Sequence, residues 1–153
     1  MVNENMNKEN VHRAILENVN ERIKSLNSIL KDTFHATAED SKSSAGDKHE
    51  TGVAMAQLEQ EKLTKQINEF LLLKEALLKI NPSKVHTKIE VGSLVETNNG
   101  WYYFSVGLGA VKMNETTIFA MNPLAPIGTL LNGKMKGEQV VFNGKTTKIL
   151  NVL

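Results

Sequence analysis

The chain opens with a helical pattern of apolar positions and closes with an alternating one. Leu16, Val19, Ile23, Leu26 and Leu30 recur at spacings of 3, 4, 3 and 4. That is the a/d seam of a two-helix pair. Ile15 and Ile29 widen the stripe, and beyond Leu30 it thins to Thr33 and Thr37, flanked by Phe34, Ala36 and Ala38. A second stripe runs through Ala56, Leu63, Ile67, Phe70 and Leu77, supplemented by Leu58, Leu71, Leu73 and Leu78. The segment between them, Ser41 to Asp47, is polar and small, and Gly46 acts there as a helix breaker. A short connection makes two helices antiparallel neighbours. The pattern therefore predicts a coiled-coil hairpin over residues 1–81 with its tip at about 41–51. Arms of roughly 35 residues would be on the order of 50 Å long. A tip so poor in apolar residues is not held mainly by burial, so its side chains are available for another task.

After Pro82 the period changes to 2. Trp101 to Val106 and Thr116 to Met121 are expected strands, the first preceded by a turn at Asn98-Asn99-Gly100. Gln139 to Phe142 and Thr147 to Val152 flank Asn143-Gly144, a strong hairpin signal. Ala125 to Asn132, closed by Gly133, reads as one brief helix. The expected fold is α+β: the hairpin, then a small twisted antiparallel sheet with one short helix over residues 82–153. Composition supports the boundary. Eight of the ten glycines lie after Pro82, all three prolines lie at or after it, and Asn81-Pro82 is a helix stop.

Charge narrows the function classes. The 153 residues carry a net charge of +1. Residues 1–81 hold 11 Lys/Arg against 13 Asp/Glu, giving −2, and residues 82–153 hold 7 against 4, giving +3. So mild an asymmetry argues against a protein that grips bare duplex through its phosphates. The absence of cysteine excludes a disulfide framework, a thiolate zinc site and a cysteine nucleophile. No apolar run approaches the about 20 residues of a membrane span, and the polar N-terminus lacks the features of a secretory signal. A cytoplasmic protein with no membrane partner is expected.

The candidate chemistry sits at the tip, in Asp47-Lys48-His49-Glu50. Two carboxylates three residues apart at a helix start share one face. They fit a capping box, and Ser44-x-x-Asp47 is a second candidate box. They also fit a pair of oxygen donors for a divalent cation that a partner helps to hold, because Mg²⁺ needs only one or two carboxylates when phosphates and water complete its shell. His49 reads as a solvated side chain or as a group tuning the pair's charge near neutral pH. Elsewhere the bland readings dominate. Trp101 to Phe104 offers material for base stacking, but alternation sends half of it to the core. Gly107-Leu108-Gly109 lacks the third glycine and the helix of a dinucleotide site, so it reads as a turn or bulge. Lys31 and Lys42 read as a solvated face, with steering of RNA phosphates as the other option.

Two stretches carry a family resemblance. Gly46-Asp47-Lys48-His49-Glu50, opening the second arm of a hairpin, resembles the tip of Gre-type bacterial transcript cleavage factors. The run from Asn122-Pro123-Leu124 through Asn132-Gly133-Lys134 to Gly137-Glu138 is similar to that family's Ser-Pro-Leu, Leu-Gly-Lys and Gly-Asp-Glu segments, in the same order. With the closing strand Thr147 to Leu153, the resemblance covers residues 10–153. It implies an FKBP-like second part without isomerase activity, docked on bacterial RNA polymerase at the rim of its secondary channel. Pro123, Leu124, Gly133 and Lys134 match the docking run. Asp47 and Glu50 match the acidic tip positions that help hold an Mg²⁺ shared with the polymerase. The nascent RNA 3′ end, once backtracked, would then be hydrolysed by the polymerase, so this chain is no enzyme by itself and has no cofactor of its own. Thr51 to Met55 depart from the family pattern, in which Asn and then an aromatic follow the tip Glu. That departure leaves a second expectation, a polymerase-binding regulator or inhibitor without cleavage. A third keeps the fold alone, as an FKBP-like peptide-binding or isomerase module.

Overall fold

The computed structural model describes residues 6–40 and 46–153, with backbone alone for 36–40 and 46–49. Two 33-residue helices come first, α1 (Lys8–Asp40) and α2 (Gly46–Leu78), and they pack together as a hairpin. Asn7 starts α1: its side-chain oxygen accepts the Asn10 N–H at 2.7 Å and its carbonyl accepts the Val11 N–H, which satisfies donors that a helix start leaves open. At the other end, Leu78 is followed by tight turns to Ile80, and Asn81-Pro82 prevents continuation. Gly46 and Asp47, expected in the connection, are instead the first residues of α2.

By packing, the chain divides into two compact units. One comprises residues 1–18 and 73–153, the other 19–72. The start of α1 and the end of α2 therefore belong to the first unit, and the rest of both helices to the second. Within the second unit Val19, Leu63 and Ile67 are buried, Ile23, Leu26, Leu30, Ala56 and Phe70 are half-buried, and the Arg22 guanidinium lies over the Phe70 ring at 5.7 Å. The apolar stripes read from spacing are thus at least half-buried. Leu58, Leu71 and Ile29 stay exposed.

The first unit is built on six strands: β1 (Leu94–Thr97), β2 (Gly100–Phe104), β3 (Gly109–Met113), β4 (Thr116–Met121), β5 (Gln139–Phe142) and β6 (Lys145–Val152), with α3 (Pro126–Leu131) between β4 and β5. Their order across the sheet is β3-β4-β2-β1-β6-β5. The sheet is mixed, not antiparallel as expected. β2 and β4 run parallel, Tyr103 opposite Ala120, because β3 is interposed in sequence and pairs with the far side of β4. The remaining pairs are antiparallel, and β5 and β6 are joined through Asn143 (φ 51°) and Gly144 (φ 75°). That left-handed pair is what a type I′ hairpin turn requires.

Both faces of this sheet are covered. Phe104, Val95, Met121, Val140 and Ile149 pack with Leu131 of α3 and with Ile89. Tyr103, one residue from Phe104 and so on the opposite face, meets His12 from the base of α1. Val11, Ile15 and Leu77 are fully buried in this same unit.

Candidate functional site

Three places in the chain hold the residues singled out above or a concentration of buried charge. At the tip, positions 47 and 50 are both helical in α2 and three residues apart, the spacing that shares a face. Glu50 is exposed in the second turn. The side chains of Asp47 and His49, and Lys42 altogether, lie outside the described residues. Gly52 and Thr51 to Met55 continue α2 without interruption, and Met55 is exposed. Lys31 lies on the solvent side of α1.

The second place is the run around α3. Pro123 and Leu124 form the turn before it: the Asn122 side chain accepts the Leu124 N–H at 2.9 Å, and the Asn122 carbonyl accepts that of Ala125. Gly128 sits so close to this turn that a Cβ would fall 2.7 Å from the Pro123 carbonyl oxygen and 2.8 Å from that of Asn122. Gly133 and Lys134 follow the helix and are tied to Ile89, whose carbonyl accepts the Gly133 N–H and whose N–H donates to the Lys134 carbonyl. Pro123, Leu124, Gly133 and Lys134 are separated in the chain by α3. They flank the two ends of a six-residue helix, roughly 9 Å long at 1.5 Å per residue. Leu124 is 82% exposed.

The third place was not legible as a site. At the base of α1, Lys8, His12 and Tyr103 are buried, with His86 close by in sequence to Lys84 and Glu90. His12 Nδ1 and the Tyr103 hydroxyl are 2.8 Å apart, with rings edge-on at 88°. In one tautomer the phenol donates to a bare Nδ1, and in the other Nδ1–H donates to the phenol oxygen. Burial pushes the His12 pKa down and that of Tyr103 well up, so both are neutral together. The His86 ring is hydrogen-bonded to the Glu90 carboxylate at 2.6 Å, and Lys84 lies 3.6 Å from the same oxygen. The His86 hydrogen bond first, then Lys84, hold Glu90 below the ordinary carboxylate range. The available signal was spacing. His12 is four residues from Lys8 and adjoins Val11 and Ile15, so it lies on the buried face of a helix.

Half of the aromatic run is buried, but the division follows position along β2 and not alternation, because both faces of the sheet are covered at its end. Tyr103 and Phe104 are buried, while Trp101 and Tyr102 are half-buried, with Tyr102 packed on Phe119 at 5.6 Å. No helix follows Gly107-Leu108-Gly109. Leu108 N–H closes a tight turn on Val106, and Gly109 opens β3.

Among the described residues, no three His, Cys, Asp or Glu side chains are grouped to hold a metal ion, and no helix is long and apolar enough to cross a membrane. No protein-family model, curated protein or solved structure matches this chain.

Proposed function

We propose that this chain is a Gre-type elongation factor that lends its hairpin tip to RNA polymerase for Mg²⁺-dependent hydrolysis of backtracked RNA. The observation that carries the reading is one of order. Two unbroken 33-residue helices, separated by only residues 41–45, precede a β-rich part whose run from Asn122 to Glu138 follows the family's docking segment. In this reading the hairpin is a coiled coil that enters the secondary channel, and the β-rich part is FKBP-like and binds the channel rim. Helices of this length span about 50 Å, which suits delivery of a side chain to a recessed active site.

The donor set fits a shared ion and not a resident one. Glu50 is a solvated carboxylate, a hard oxygen donor of the kind Mg²⁺ prefers, and the described residues offer no cage around it. Asp47 and Glu50 would contribute two ligand positions, with polymerase and RNA phosphates completing the shell. A bound Mg²⁺ supplies charge stabilisation for the attacking and leaving oxygens. The chain's own contribution is placement: a helix holds its carboxylates in fixed spacing, which converts a loosely bound ion into an oriented one.

The test is a stalled, backtracked elongation complex of the cognate polymerase. Purified protein with Mg²⁺ should shorten the RNA from its 3′ end, and Asp47→Ala with Glu50→Ala should reduce the rate by at least about 10²-fold, the scale of losing transition-state charge stabilisation. Equal shortening by the double variant sinks the proposal. Thr51 to Met55 favour a second reading, a regulator that occupies the channel without cleavage. Binding that competes with other channel ligands but leaves the RNA intact would select it.

A further inference from the structure

A cleft of about 450 Å³ opens beside the first turn of α1, between that turn and the segment that leaves α2. Its size lies within the range of small-molecule sites, about 300–1,000 Å³. The walls include the apolar side chains of Met6, Pro82, Val85 and Leu153. Lys8, Glu9 and Lys84 also line it.

Lys8 is the unusual member. It is only 7% exposed, and lysine is almost never so deeply buried unless paired. Its ammonium donates to the Lys84 carbonyl, which uses one of three N–H donors. Among the described residues no carboxylate lies within ion-pair distance of it. The nearby acids are otherwise engaged: Glu9 accepts from the Ser83 hydroxyl at 2.7 Å, and Glu90 is held by His86 and Lys84. Burial, and then repulsion from Lys84, lower the Lys8 pKa against a smaller opposing pull from Glu90. A desolvated cation without an ion-pair partner is costly, and an anion in the cleft would offset that cost.

We propose that this cleft binds a small organic carboxylate, with its headgroup on Lys8 and its apolar body against Met6, Val85 and Leu153. The walls discriminate between anions. A carboxylate carries one charge and an apolar tail that matches them, whereas inorganic phosphate would lose its hydration to apolar side chains without recompense. The site is independent of the tip and of any polymerase.

Isothermal titration of the full chain with octanoate tests it, with octanol and inorganic phosphate as controls. Octanoate should bind saturably at one site, and both controls at least tenfold more weakly. Lys8→Met, which preserves volume, and Val85→Glu, at a side chain 84% exposed, should each weaken octanoate at least tenfold. If Lys8→Met does not fold, the Lys8 side-chain NMR resonances of the natural chain should still shift with octanoate in a saturable way. The proposal is overturned by no saturable octanoate binding at millimolar concentration. It is equally overturned by phosphate binding as well as octanoate, by Val85→Glu binding unchanged, or by Lys8 resonances that do not move.

Discussion

His12 and His86 are both buried, one ring against a phenol and the other against a carboxylate. His12 is neutral, against a neutral phenol, and its pKa is held below the ordinary 6.5 by burial. The unfolded chain therefore binds a proton there before the folded chain does, so folded stability falls as pH drops below about 6.5. Thermal melts between pH 7.5 and 5 should show a falling midpoint, and His12→Gln, which keeps a hydrogen-bonding group for Tyr103 without titrating, should fall less. An identical pH profile for the two proteins would contradict the assignment. Glu90 works in the same direction: its pKa is lowered too, so the His86 contact is lost as acid protonates it. Spacing located the seam through Val19 correctly, but placed its base on Leu16, which is half-buried. The fully buried line there is Val11, Ile15 and Val19, and the polar groups Lys8 and His12 beside it hid that line from a count of apolar positions.

Turns and strands with their own chemistry were legible, and those defined by neighbours were not. Asn143-Gly144 announced the β5–β6 hairpin, and Thr116 to Met121 matched β4 residue for residue. β3 was missed because Gly109 opens it directly after Gly107, so the segment reads as a turn. β1 has only four residues. The parallel pairing of β2 with β4 has no local signature, since alternation specifies a face and not a partner. At this scale two substitutions are informative. Gly128→Ala drives a methyl into two backbone carbonyls, and overpacking of this kind costs roughly 1–3 kcal/mol. Ile149→Ala empties the centre of the core that α3 covers, at about 2–5 kcal/mol. Urea unfolding followed by circular dichroism measures both. A Gly128→Ala midpoint equal to the parent's would show that the α3 turn yields freely.

At the scale of the whole molecule the two units differ in how they are held. The first has a two-faced sheet with a dozen buried apolar side chains or more, whereas among the described residues of the second only Val19, Leu63 and Ile67 are buried apolar side chains. Opening free energy follows buried contacts. Amide hydrogen exchange should therefore be fastest in residues 23–35 and 50–60, and slower at 11–19 and 73–77, although all belong to the same two helices. Uniform protection along α1 would refute this. The order of strands has a different consequence. β6 is the last strand in the sequence, yet it lies between β1 and β5, with Leu94 and Leu153 exchanging backbone hydrogen bonds. A growing chain on the ribosome can complete its hairpin long before its sheet. A chain that stops before Lys145 lacks β6, the strand that joins β1 to β5, and would leave an edge of each unpaired. Unpaired strand edges of this kind are templates for pairing with other chains, so closure by β6 is also what protects the sheet from association.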